Sequence, residues 1–267
     1  MNVRRIRNVV LPPALFAAAV LLLWDISSYT QFPEARRRSI AQPAPLDVIR
    51  VGFLKSRNLR EMLGGLALTT RITLLGLAAS IVIGVLFAVL MSQSKLVEKS
   101  VFPYAVVLQT VPIIALTPVI KISLGSGKLP RVLICIMIAV FPIITNTLFG
   151  LKAADRSQHD LFTLHGAGRW TRLRKLQFPA ALPAMFTGFR ISAGLSVIGA
   201  IVAEFFFGTG PKGLGRLISE YTQRNETAKV MAAVVLTAAL GISLFLIFGW
   251  VSHRLTRHWR SADPLGR

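Results

Sequence analysis

This 267-residue chain reads as an all-α polytopic membrane protein of about six transmembrane helices, for three reasons. It is 53% hydrophobic with a mean hydropathy of +0.60, too apolar for an ordinary soluble domain. Its apolar residues gather into runs close to the roughly 20 residues that a bilayer core demands of a helix. Charged side chains nearly vanish from those runs, since each costs about 2.5–3.5 kcal/mol at a helix centre on insertion scales.

The first run, Val9–Trp24, is short and carries Pro12 and Pro13. Arg4, Arg5 and Arg7 before it resemble the basic region of a signal peptide. Trp24-Asp25-Ile26 offers no small-x-small cleavage site, so residues 1–25 are expected to hold an uncleaved helix. Residues 26–64 form the only sizeable outer segment. Pro33, Pro43 and Pro45 break its first half. Leu46–Leu63 then mixes apolar with basic residues, as a short interfacial amphipathic helix does.

Five runs follow within the core, residues 65–255: Leu66–Met91, Val101–Leu124, Val132–Leu151, Ala184–Phe207 and Val230–Val251. The second of these is punctuated by Pro103, Pro112 and Pro118, with Gln109 and Thr110 between them. Proline interrupts backbone hydrogen bonding, and broken membrane helices are tolerated where they are buried or line a cavity. A kinked packing helix and a helix lining a translocation path both fit. Residues 256–267 form a short cytoplasmic tail. No internal repeat or second soluble domain is evident.

A formal net charge of +20 marks loops facing the cytoplasm and anionic lipid in a membrane chain, not nucleic acid. With the N-terminus inside, six spans place the C-terminus inside too. The cytoplasmic segments then hold Lys95 and Lys99, the cluster Lys152–Lys175, and Arg254, Arg257, Arg260 and Arg267. The long first loop, with Arg36, Arg37, Arg38, Arg50, Lys55, Arg57 and Arg60, breaks the trend.

No catalytic, cofactor-binding or metal site can be assembled, and a membrane enzyme is left without its chemistry. Gly208-Thr-Gly210-Pro-Lys-Gly213 spells GxGxxG but ends an apolar run with no βαβ unit around it. It reads as a glycine-rich re-entrant turn. Gly125-Ser-Gly127-Lys128 lacks the residue that a phosphate-binding loop needs after its lysine. Cys135 lies mid-run as a small packing residue. His159, His165, His253 and His258 show no metal spacing. Lys121 and Arg190 lie near enough to helix ends to snorkel. Glu204 either meets solute or gates a path, or else pairs with a base or caps the glycine-rich turn.

The polar, basic stretch Asp155–Pro183 between two apolar runs reads as a docking loop. Asp155–His165 is long enough for three helical turns. Gly166 can take positive φ and stop that helix. Arg169–Leu176 starts another, with Trp170, Leu173 and Leu176 on one apolar side. Pro179 begins the return to the membrane.

This loop resembles the EAA loop of binding-protein-dependent ATP-binding cassette (ABC) importer permeases. Gly166-Ala167 matches the family's glycine and its neighbour, and Phe178-Pro179-Ala-Ala-Leu-Pro183 its closing segment. Asp160-Leu161-Phe162 stands in place of Glu-Ala-Ala. Other segments resemble the sulfonate/nitrate/taurine-type branch: Thr70-Arg71, Gln109-Thr-Val-Pro112 through Pro118 with Gly125-Ser-Gly127, Phe141-Pro142 through Asn146-Thr147 to Gly150-Leu151, and Ala203-Glu204 with Gly213-Leu214-Gly215.

The resemblance implies a type I importer permease bundle in the bacterial plasma membrane. It implies a coupling loop at 152–183 with Asp160, Leu161, Phe162, Gly166, Ala167, Gly168, Arg169, Trp170 and Pro179 as contact residues. Apart from the resemblance, Gln109, Asn146 and Glu204 are polar groups in apolar runs, and with Thr110 and Pro112 of the broken helix they are the expected contacts of a solute pathway. The partners implied are two cytoplasmic ATPase subunits holding ATP and magnesium, an extracytoplasmic solute-binding protein, and a second permease chain in a homodimer. A self-contained secondary transporter or channel is the alternative, and would show inverted repeats and several intramembrane ionisable groups.

Overall fold

The computed structural model describes residues 3–207 and 210–260, and side chains from 11 to 255 outside that gap. Expectations placed on Arg4, Arg5, Arg7, Gly208, Arg257, His258, Arg260 and Arg267 therefore lie outside the described side chains. The chain is helical, with no strand among the described residues. In order the helices are α1 Val3–Gln31, α2 Ala35–Ala41, α3 Pro45–Val48 with a π-helical turn Ile49–Leu54, α4 Ser56–Gln93, α5 Lys95–Thr110, α6 Ile113–Leu124, α7 Lys128–Leu151, α8 Arg156–Leu164, α9 Arg169–Arg172 with a π-helical turn Leu173–Gln177, α10 Phe178–Phe206, α11 Leu214–Gln223 and α12 Thr227–Arg260.

The residues form two compact units. In the first, residues 3–65 and 217–236, the Ser28 hydroxyl donates to the Gln42 carbonyl at 2.7 Å. The Tyr221 phenol donates to Glu61 at 3.0 Å. Burial first, and that bond second, push the phenol above its ordinary pKa. The interfacial helix expected within Leu46–Leu63 is shorter than that span: α3 and its π-helical turn end at Leu54, and α4 starts at Ser56. α1 likewise runs past Trp24 to Gln31. Pro12 and Pro13 do not break α1, so the first helix is longer than its apolar run.

The second unit, residues 66–216 and 237–260, contains the functional elements. Small residues let its helices approach closely, the usual device in membrane bundles. A Cβ on Gly76 would overlap the Cys135 side chain, and one on Gly84 would lie 2.6 Å from Ile143. Both pairs are 59 positions apart, so α4 and α7 run parallel. Gly150 abuts Ala181, Gly188 abuts Pro142 and Gly199 abuts Cys135. The Ser192 hydroxyl donates to the Ala139 carbonyl at 2.6 Å. These pairs put α7 and α10 antiparallel along most of their length. Cys135, fully buried between Gly76 and Gly199, is the packing residue expected.

The third helix of the sequence reading is two helices, α5 and α6, bent by 97°. Among the described residues, five single helices are long and apolar enough to cross a membrane, and the bent pair makes a sixth. The parallel run of α4 and α7 decides how the pair counts. Chain leaving α4 at Gln93 must return to the starting side before α7 begins, so α5 and α6 together make one crossing. The ends agree. Lys152 after α7 pairs with Glu98 on α5 at 2.5 Å, and Gln93 bonds Gln177 at 3.3 Å. At the opposite side Lys121 on α6 reaches the Phe206 carbonyl at 3.5 Å.

Candidate functional site

The loop joining α7 to α10 is a two-helix knob. α8 ends in a Schellman motif: the Ala167 N–H donates to Phe162 O at 2.9 Å and the Gly166 N–H to Thr163 O at 3.0 Å. Gly166 sits at φ +62°, the left-handed conformation that glycine adopts without a Cβ penalty. The Arg172 guanidinium donates to the Thr163 hydroxyl at 2.9 Å, tying α9 back to α8.

One expectation for this loop needs correction. Trp170 does not share a face with Leu173 and Leu176. Those leucines are 2% and 8% exposed, whereas Trp170 is 72% exposed. Pro179 begins the return to the membrane, as expected, and does so without a break in the helix. The helix runs from Arg169 to Phe206 as one rod, and the π-helical turn Leu173–Gln177 leads directly into Pro179 in the first turn of α10.

The knob's outer side is apolar at three points: Leu161, Leu164 and Trp170 are 53%, 84% and 72% exposed. Leu161, Phe162, His165, Ala167, Thr171 and Lys175 line an open hollow of about 450 Å³. Asp160, Gly168 and Arg169 are exposed beside it. Large contiguous apolar patches on protein surfaces mark interaction sites.

At the far end of α10 stands a second arrangement. Glu204 is fully buried. The Thr69 hydroxyl on α4 donates to it, 2.8 Å from Oε2, and the Gly215 N–H donates to the same oxygen at 3.0 Å. Thr69 Oγ1 in turn accepts from the Leu214 N–H at 2.9 Å. Two orphan donors in the first turn of α11 are thus satisfied by side chains from other helices. A Cβ on Gly213 would overlap the Glu204 carboxyl. The Arg131 guanidinium reaches the Phe207 and Pro211 carbonyls at 3.5 and 3.4 Å, and Arg216 donates to Gly210 O at 2.6 Å. Of the roles open to Glu204, the geometry favours capping the glycine-rich turn. Sequence reasoning missed Thr69 and Arg131. A hydroxyl beside the Thr70-Arg71 motif was the available signal for Thr69.

The pathway candidates separate. Gln109 is exposed and lines a cavity of about 240 Å³ with Leu108, Ile113, Met137, Ile138, Phe141, Pro142 and Leu195. Thr110 bonds the Val107 carbonyl at 3.0 Å, and Pro112 caps α6 across the bend. Asn146 is half-buried and donates to the Pro142 carbonyl of its own helix at 2.8 Å. It does not line the cavity, and neither does Glu204. No cluster of three or more metal-ligating side chains occurs among the described residues.

Residues 80–257 match the sequence model of the family described as binding-protein-dependent transport system inner membrane component. The chain belongs to that family. The match runs from within α4 into α12 and includes the knob and Glu204, though not Thr69. The permease is 33% identical over 238 residues to the formylaminopyrimidine transport permease protein ThiX of Halalkalibacterium halodurans, covering 87% of this chain and 89% of that one. It is 26% identical to the putative aliphatic sulfonates transport permease protein SsuC of Bacillus subtilis, over 85% and 80% of the two chains. An inward-facing MetNI methionine ABC transporter shares the fold, with a TM-score of 0.60, 18% identity, and coverage of 76% of this chain and 98% of that one. The protein is therefore a multi-pass membrane permease subunit of an ABC importer, a family whose permeases imply an ATPase and a solute-binding protein as partners.

Proposed function

We propose that the knob at 152–183 is where the permease meets its ATPase subunits, and that the cavity at the α5–α6 bend belongs to the solute path. The observation that carries this is the exposed apolar set Leu161, Leu164 and Trp170 on a loop pinned by a Schellman motif and by Arg172. A rigid knob with a greasy surface transmits motion from a groove that grips it. ATP and magnesium belong to the partner subunits. ATP-driven closure switches the pathway through the different contacts the knob makes in each state.

Two copies of the chain form the path as a homodimer, with Gln109, Thr110 and Pro112 near its wall. The cavity lining has no charged side chain, which favours a neutral, planar solute over an inorganic anion. Relatives named for formylaminopyrimidine and riboflavin are 33% and 30% identical, against 24% for a nitrate permease. A nitrogen heterocycle is accordingly the proposed cargo class. Cysteine at Leu161 or Trp170, in a Cys135→Ala background, should crosslink to the ATPase co-purified from the same operon. Crosslinking equal to that from a cysteine at Thr30 would overturn the docking assignment.

A further inference from the structure

The longest departure of this chain from the positive-inside pattern lies before α4, and the structure gives it a shape. α3 and its π-helical turn are fixed on one side. Ala44 and Val48 are buried, and Gly52 lies so close to Ala232 that a Cβ would overlap it. The Asn58 amide donates to the Val51 carbonyl at 2.8 Å, clamping the turn onto the start of α4. The other side is open. Leu46, Ile49 and Leu54 are 54%, 48% and 72% exposed, and Arg50, Lys55 and Arg57 are exposed among them.

None of these three bases has an ion pair within the described residues. The nearby acids are accounted for: Asp47 is half-buried, and Glu61 is engaged by Tyr221. Lys55 alone separates the turn from a 38-residue membrane-crossing helix. The segment is therefore tethered at bilayer level, with exposed leucines and unneutralised bases on one surface. That is the composition of an element lying in a headgroup layer.

We infer that Leu46–Arg57 is an interfacial foot whose Arg50, Lys55 and Arg57 bind the phosphates of anionic phospholipid while Leu46, Ile49 and Leu54 enter the acyl boundary. A solute-binding protein could also seek bases here. Three exposed apolar side chains next to a membrane span favour lipid, and charge complementarity selects its anionic class.

The test uses the purified importer in nanodiscs. A fluorophore is placed on Ile49→Cys in a Cys135→Ala background. Quenching is compared for doxyl-labelled phosphatidylglycerol and doxyl-labelled phosphatidylcholine at equal mole fraction. Phosphatidylglycerol should be preferred at least about five-fold, since a single base near the surface contributes that much. The preference should shrink with added salt. The triple variant Arg50→Gln, Lys55→Gln, Arg57→Gln should bring it to about one while phosphatidylcholine still quenches, which shows that the foot remains in the bilayer. Equal quenching by both lipids in the unaltered bases would overturn the headgroup site. No quenching by either would mean that protein, such as the solute-binding partner, covers this face.

Discussion

Removing the Glu204 carboxyl would strand the Gly215 N–H, and take one hydrogen-bond partner from the Thr69 hydroxyl, in a site fully closed to solvent. A buried donor left unsatisfied costs about 1–3 kcal/mol. Glu204→Ala should therefore destabilise the permease by roughly 2–5 kcal/mol, adding the cavity that truncation leaves. Gly213→Ala should be comparably damaging, because its methyl would occupy the carboxyl's place. Thermal unfolding in detergent, followed by size-exclusion recovery, reads both. A melting point within a degree of the parent would show that the cap carries no stability. Gly166 makes a different case. No atom lies within 4 Å of a Cβ built there, so only its φ of +62° resists substitution. A β-branched residue should be strained by about 1–2 kcal/mol, whereas asparagine visits that region readily. Gly166→Val should thus lower solute-stimulated ATPase activity of the reconstituted importer, and Gly166→Asn should retain most of it. Equal loss in both would point to a lost contact instead of a lost turn.

At the scale of elements, periodicity and apolar length made the membrane helices legible, because lipid penalises every charge and every unpaired backbone group. What they could not supply were the joints. Pro112 reads the same in a kinked helix as in a 97° corner, and only packing against α7 separates them. Pro179 reads as the start of the return to the membrane, but nothing in the sequence shows that a π-helical turn before it joins the loop helix and the membrane helix into one rod from Arg169. Trp170 shares a helical stripe with Leu173 on paper, but in the fold Leu173 packs into the core while Trp170 stays exposed. Glu204's partner was hidden because Thr69 lies 135 positions away. The α5–α6 corner carries its own prediction. In a Cys135→Ala background, cysteine at Gln109 should react with small water-soluble thiol reagents in at least one state of the transport cycle. Cysteine at Asn146, whose side chain turns back to Pro142, should react at least about ten-fold more slowly, as expected of a half-buried group off the cavity wall. Protection of position 109 in resting, ATP-bound and vanadate-trapped importer would place the path on other faces.

The whole molecule is ordered by the direction in which its helices run. Gly76 against Cys135 and Gly84 against Ile143 make α4 and α7 parallel. Gly150 against Ala181 makes α10 return. Arg190 stacks on Phe245 at 3.8 Å and lies close to Gly249, while Leu244 packs with Ala193 and Val197, so α12 runs back again. The ends of α4, α7 and α12 therefore share a side with the start of α10 and with the knob. Basic residues concentrate there: Lys152, Arg156, Arg169, Arg172, Arg174, Lys175 and Arg254. Short loops rich in lysine and arginine stay in the cytoplasm, so the knob is expected inside and the Glu204 cap outside. Reporter fusions after residue 40 and after residue 165 should give opposite sidedness, with residue 165 inside. The seven bases between Arg36 and Arg60 oppose this orientation by number alone. Three of them, Arg50, Lys55 and Arg57, drop out of that count if the foot holds them against anionic headgroups, because charges neutralised at the surface are no longer available to retain their loop. Neutralising Arg50, Lys55 and Arg57 should then leave both fusion readouts unchanged, whereas adding three lysines between Arg36 and Pro43 should raise the fraction of inverted molecules. A fusion at residue 165 that reports outside would remove the physical basis for placing an ATPase on the knob, whatever the apolar side chains there contact.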